Sequence, residues 1–521
     1  MYMAVRMNSV NRKRLKGSFG AVIVLLVFIW SLVITGFDAG ILMQRGNQAI
    51  LFIKRMFPPD IRYFGEVIVP LIKTIQMSVA GTFAGAVIGL ITAFLYADNI
   101  IKFPFVRWPL RVIVQCVRTI PVLILALVCT FIWGIGAAAG TIAIAVSTWA
   151  IMSRIGGEDI EGLSLKAYEA VAASGAGRLT AFTRTVLVEL LPGYLTNTLY
   201  VLETNVRHAA ILGYVGAGGI GLLLNEKIAW REYGRVGMIL VMLFAAVMVI
   251  EGVSVFLRAY LEGRIKRKRA ISIIICVCII AMCLYSLSAV KGVSASRMGL
   301  KVVGAIIQGI THPDWHYMFM AGKSGVLYLM LETVAIAVAG TLIGAAAAFV
   351  LTFVNSTRFV PVPVALAARV IIMAIRTVPV YVYGLIFIRV TGPGSFAGVL
   401  TMIMCSIGLL TKRFTVAVDN LDMSAWNAYK NSGTGWLARV KYTCLSQLMP
   451  QFKEAVMYRF DVNIRSASTL GLVGAGGIGA PLIVYMNNYR WDAVGSILIV
   501  LLAVVLITEL LSKCIKKSRL S

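Results

Sequence analysis

The chain has 521 residues, of which 59% are apolar and 14% charged, and its mean hydropathy is +0.88. Soluble globular domains carry about a quarter charged residues, so a water-soluble enzyme or binding domain is excluded. The net charge of +27 would suggest nucleic acid in a soluble protein, but the basic residues sit beside apolar runs. They cluster at Arg12, Lys13, Arg14 and Lys16, at Arg264, Lys266, Arg267, Lys268 and Arg269, and at Lys513, Lys516, Lys517 and Arg519. This is the positive-inside pattern of a multi-pass membrane protein with both termini cytoplasmic, lipid around it and no nucleic-acid partner.

In chain order, apolar runs of about twenty residues predict spans near 19–37, 71–97, 106–134, 137–153, 190–215 and 236–257. Between the fourth and fifth, residues 154–189 are polar enough to leave the membrane. The run from Phe19 to Ile34 lacks a small-residue cleavage site and reads as a span, not a signal peptide.

The same order then recurs. NVRHAAILGYVGAGGIG at Asn205–Gly221 returns as NIRSASTLGLVGAGGIG at Asn463–Gly479, an offset of 258 residues. That offset also relates Arg118-Thr119-Ile120-Pro121 to Arg376-Thr377-Val378-Pro379, and Pro192 to Pro450. VAGTFAGA from Val79 matches VAGTLIGA from Val338 at 259. The reading is an all-α membrane protein of about twelve spans, in two halves at 1–265 and 266–521, with polar loops near 154–189 and 412–447. Halves with even span counts are parallel repeats about an axis along the membrane normal.

The first polar loop carries Glu169-Ala170 and then Gly175, and the second carries Asn427-Ala428 and Gly433. This resembles the EAA loop of ABC importer permeases, which docks short helices into a cytoplasmic ATPase. The segments around Asn205, Arg207 and GAGGIG, and around Asn463, Arg465 and GAGGIG, resemble the phosphonate permease family. The resemblance implies the ABC importer permease (MetI-like) fold in a bacterial inner membrane. It also implies two copies of an ATP-binding subunit, an extracytoplasmic substrate-binding protein, and a small oxyanion cargo: phosphonate, phosphite or phosphate. ATP and Mg would then belong to the ATPase, with no cofactor and no catalytic residue in this chain. Other solutes such as an amino acid, and a secondary transporter driven by an ion gradient, remain alternatives.

GAGGIG also matches a dinucleotide fingerprint, but it follows a membrane helix and not a buried strand. The glycines Gly216, Gly218, Gly219 and Gly221, with Gly474, Gly476, Gly477 and Gly479, therefore read as a tight turn that also gates. Gly322-Lys323-Ser324 ends like a phosphate-binding loop, yet Tyr317 stands where its first glycine is needed. The eight cysteines read as packing residues, and His208, His312 and His316 are too scattered for a metal site.

Charged groups inside a span cost about 2.5 to 3.5 kcal/mol on insertion scales, so they are paired or face an aqueous path. The pathway candidates are Arg118, Arg376, Arg207, Arg465, Asn205 and Asn463. Arg118 and Arg376 would attract the anion, against the alternative of snorkelling to headgroups. Glu203 with Arg207 and Asp461 with Arg465 have the i to i+4 spacing of helix ion pairs. Asn205 and Asn463 could bond between the halves or satisfy backbone near the glycine turn.

Overall fold

A computed structural model describes residues 22–100, 103–264, 269–286, 288 and 297–517. The basic residues at 12–16, Lys266 to Lys268 and Arg519, and the expected start of the first span at Phe19, lie outside the described residues. Among the described residues the backbone is helical, with no strand. That is the expected solution in lipid, where each peptide group must find its partner within its own segment.

The first repeat contains α1 (Val22–Ile34), α2 (Ala39–Met56), α3 (Phe64–Tyr96), α4 (Pro104–Thr119), α5 (Val122–Trp133) and α6 (Ala137–Gly162). It continues with α7 (Lys166–Ala173), α8 (Arg178–Arg184), α9 (Val186–Leu212), α10 (Ile220–Ala229) and α11 (Tyr233–Leu261). The second repeat contains α12 (Arg269–Ser286), α13 (Arg297–Thr311), α14 (Trp315–Met318), α15 (Val326–Asn355), α16 (Val362–Thr377), α17 (Val380–Thr391) and α18 (Ser395–Asp419). It ends with α19 (Ser424–Asn431), α20 (Trp436–Arg439), α21 (Leu445–Leu470), α22 (Gly479–Asn487) and α23 (Trp491–Lys517).

Among the described residues six helices are long and apolar enough to cross a membrane, or up to ten spans if each bent pair counts as one. Two further helices, α12 and α21, occupy the remaining places in the twofold pattern of about twelve. In α21 the hydropathy is lowered by Lys453, Glu454, Arg459, Asp461 and Arg465.

Two compact units form: Phe52–Ile307, and Met1–Leu51 together with Gln308–Ser521. Their boundaries differ from the sequence repeats at the leading helices. The second repeat's α12 packs on α3 of the first, whereas α1 belongs to the unit that holds α15 and α18, and Phe37, just after α1, meets Phe396 edge-on at 5.0 Å.

Within each unit one long helix runs along another, α3 along α6 and α15 along α18. Glycines make this possible, because lipid supplies no hydrophobic drive between helices and close backbone packing must replace it. A Cβ on Gly85 would fall 2.7 Å from Thr148 Cβ, and one on Gly344 would fall 2.5 Å from Ser406 Cβ. These are the glycines of the repeated VAGTFAGA and VAGTLIGA segments.

Candidate functional site

The Arg-Thr-x-Pro segments lie at sharp breaks. α4 meets α5 at 96° and α16 meets α17 at 85°, so the stretch near 106–134, expected as one span, is a sharply broken pair of helices. Proline causes the break: Pro121 and Pro379 each precede the first residue of the following helix and have no N–H to continue the preceding one. In the first half, Ile120 N–H turns back to the Val117 carbonyl at 3.2 Å. In the second half Pro379 leaves the Ile375 carbonyl without its helical donor, and the Tyr383 hydroxyl donates to it at 2.8 Å.

Arg118 and Arg376 occupy the last turns of α4 and α16 and are half-buried. A Cβ added to Gly408, near the middle of α18, would lie 3.2 Å from Arg376 Cα. The helix end bearing Arg376 thus packs at mid-length of the long apolar helix α18, away from both of its ends. Each break also brings together the C-terminus of one helix, which favours a cation, and the N-terminus of the next, which favours an anion.

The ion pairs expected inside α9 and α21 are formed. Arg207 reaches Glu203 at 3.1 Å, and Arg465 reaches Asp461 at 2.7 Å. Glu203 also lies 3.9 Å from Arg258, whose guanidinium covers the Tyr200 ring at 3.8 Å.

Asn205 and Asn463 neither reach outside their own bundles nor cap the glycine turn. Asn205 donates to Thr82 and Thr148 hydroxyls at 2.8 Å each. Asn463 donates to Thr341 at 2.7 Å and Ser406 at 2.8 Å. Each therefore ties three helices of one unit through a buried polar knot.

The GAGGIG segments are tight turns, as their composition implies. Gly216, Gly218 and Gly219 have φ of 81°, 77° and 78°, and Gly474, Gly476 and Gly477 have 87°, 79° and 76°. Side chains are also excluded by space, since a Cβ on Gly476 would come 2.6 Å from Ser395 N and one on Gly218 2.8 Å from Ala137 N. Threonine hydroxyls close the turns: Thr74 accepts from Ile220 N at 2.8 Å and Thr333 from Ile478 N at 2.9 Å. Gly221 and Gly479 follow directly, where α10 and α22 begin.

The two polar loops share one backbone design. α7 and α19 bury no residue, and each ends at a serine whose N–H returns to Ala170 or Ala428. Gly175 at φ 88° and Gly433 at φ 74° then turn the chain. Glu169 and Asn427 are both exposed on this shared frame. Of the cations near Asn427, Lys430 is exposed, whereas Arg439 folds back 5.2 Å over the Trp426 ring. Asp422 precedes α19, and bonds from the Ser424 N–H and hydroxyl hold its carboxyl below the usual carboxylate range.

The buried cations Lys227, Arg258 and Arg459 escape the reading by motif. Arg459 in α21 is 5% exposed and its Nε–H donates to Ser406 Oγ at 3.3 Å. The repeat offset could have found it, because Val201 holds the matching position in the first half.

Comparison with known proteins agrees with this architecture. Residues 85–267 match the family described as binding-protein-dependent transport system inner membrane component. The chain is 27% identical over 485 residues to the phosphate-import permease protein PhnE of Mycolicibacterium smegmatis, covering 91% of this chain and 90% of that protein. It is 32% identical over 189 residues to the phosphite transport system permease protein PtxC of Stutzerimonas stutzeri, covering 36% of this chain and 69% of that protein. With the duplicated bundles, the broken helices and the paired polar loops, these likenesses make the chain a member of the binding-protein-dependent transport system inner membrane component family.

Proposed function

We propose that the chain is the transmembrane permease subunit of an ABC importer that brings phosphonate, or a related oxyanion such as phosphite or phosphate, into the cytoplasm. The observation that carries this reading is the likeness to a phosphate-import permease along 91% of the chain. A match that spans both repeats suits a single polypeptide that supplies both permease halves. The chain acts without its own nucleotide site: ATP and Mg bind two copies of a cytoplasmic ATPase, an external binding protein delivers the anion, and both termini lie in the cytoplasm.

In this reading each half contributes one broken helix to the anion's route. Arg118 and Arg376 offer planar guanidinium forks suited to paired phosphoryl oxygens. The adjoining N-termini of α5 and α17 add partial positive charge, the device by which discontinuous helices hold anionic groups in transporters. The glycine turns serve as gates, since φ near 80° and absent side chains let segments close tightly. α7 and α19 dock on the ATPase, so that its closure moves the bundles.

Reconstitution into proteoliposomes with the ATPase and binding protein tests the reading. ATP-dependent uptake of phosphate, phosphite or methylphosphonate is expected, and the double variant Arg118→Ala, Arg376→Ala should lower it by about tenfold or more. Unchanged uptake in the double variant removes the arginines from the path. Uptake by the chain alone, without ATP, would favour a gradient-driven transporter.

A further inference from the structure

The buried arginine of α21 has an internal control in the same polypeptide. In the second half Asn463 ties α15, α18 and α21 through Thr341 and Ser406. In the first half Asn205 makes the matching knot through Thr82 and Thr148, with Val201 where the second half has Arg459. Packing of this bundle therefore does not require a guanidinium.

Arg459 nevertheless sits inside the bundle, 5% exposed, beside the middle of α18. A cation inside a span is costly to insert, and such groups are rare, face a bundle interior or a water-filled cavity, and mark substrate or ion pathways. Among the described residues no carboxylate pairs with it. Asp461, two positions along, is held by Arg465 at 2.7 Å. A guanidinium has five N–H donors, and Arg459 uses its Nε–H on Ser406. Arg413 of α18, whose guanidinium lies 3.9 Å over the Tyr458 ring, adds positive charge near this point.

We infer that Arg459 forms an oxyanion-binding site within the second half alone, taking the oxygens of a phosphate-like anion on N–H donors left over beside Ser406. This rests on the cargo class proposed above. The ligand is a small tetrahedral oxyanion with at least two oxygens available for the fork. No bond is made or broken; the anion exchanges water for guanidinium and hydroxyl donors during passage. One half would thus hold the cargo more strongly than the other.

The test uses the whole complex, with ATPase and binding protein, in proteoliposomes. Arg459→Met keeps side-chain length and removes charge, whereas Arg459→Lys keeps charge and removes the fork. Replacing an unpaired buried ion by an apolar chain is often neutral or stabilising, so Arg459→Met should melt at or above the wild-type temperature. Its phosphate uptake should nonetheless fall by about tenfold or more, with Arg459→Lys between the two. The inference is overturned if Arg459→Met imports at the wild-type rate, if it melts lower or fails to assemble, or if Arg459→Lys is no better than Arg459→Met. A wild-type complex that carries none of phosphate, phosphite and methylphosphonate defeats the cargo reading itself, before any variant is compared.

Discussion

Pro379 removes the N–H that the Ile375 carbonyl would otherwise accept, and the Tyr383 hydroxyl takes its place at 2.8 Å. Leaving a buried carbonyl unsatisfied costs about 1 to 3 kcal/mol, and this one is half-buried, so Tyr383→Phe should lower the melting temperature of the purified protein by the equivalent of about 1 kcal/mol. An unchanged melting temperature would show that water or another donor replaces the hydroxyl. The first half has Leu125 at this position and serves its break through Ile120 N–H, so the need for a hydroxyl could not be read from the repeat alone. Asn205 and Asn463 show the same limit. Their presence inside spans was legible as buried polarity, but their partners lie on helices more than fifty residues away in sequence, at Thr148 and Ser406. The i to i+4 pairs of Arg207 and Arg465 were legible because both partners lie on one helix, where spacing alone brings them together.

At the scale of elements, glycine patterns proved easier to read than helix direction. A run of GAGGIG between two apolar stretches has few solutions other than a tight turn, and both copies adopt left-handed φ. The close approaches define a test. In Gly218→Ala the new Cβ would lie 2.8 Å from Ala137 N, and in Gly476→Ala 2.6 Å from Ser395 N. Both positions also require positive φ, so each substitution strains the turn twice and should cost about 1 to 3 kcal/mol or more. Reduced folded yield, or uptake lost at normal expression, is expected from each; full stability with full uptake would refute the close-packed turn. By contrast, hydropathy cannot distinguish one crossing from two short helices at 96° or 85°, because composition is the same in both. Proline flagged the position of each break but not its angle, which is set by packing on α6 and α18.

For the whole molecule, the repeat was legible from identity at a constant offset, whereas the compact units were not. Apolar leading helices carry little sequence information about which bundle they join, and the structure assigns α1 with Gln308–Ser521 and α12 with Phe52–Ile307. A duplication within one chain also lets paired surfaces diverge, and the two polar loops show how. Their backbones agree, with Gly175 at φ 88° and Gly433 at φ 74°, but Glu169 is replaced by Asn427, Val171 by Tyr429 and Ala172 by Lys430. Since α7 and α19 bury none of their residues, alanine at Glu169 or Asn427 removes no core contact. Alanine is also the better helix former at both positions, so a change in transport would report docking and not folding. A carboxylate can make charge-assisted bonds to a partner that a neutral amide cannot. Glu169→Ala should therefore lower ATP-driven uptake by about fivefold or more, the range of an interface anchor, and Asn427→Ala by less than about twofold. Comparable losses would mean that the two loops engage the ATPase equivalently, through backbone shape and small residues shared by both copies.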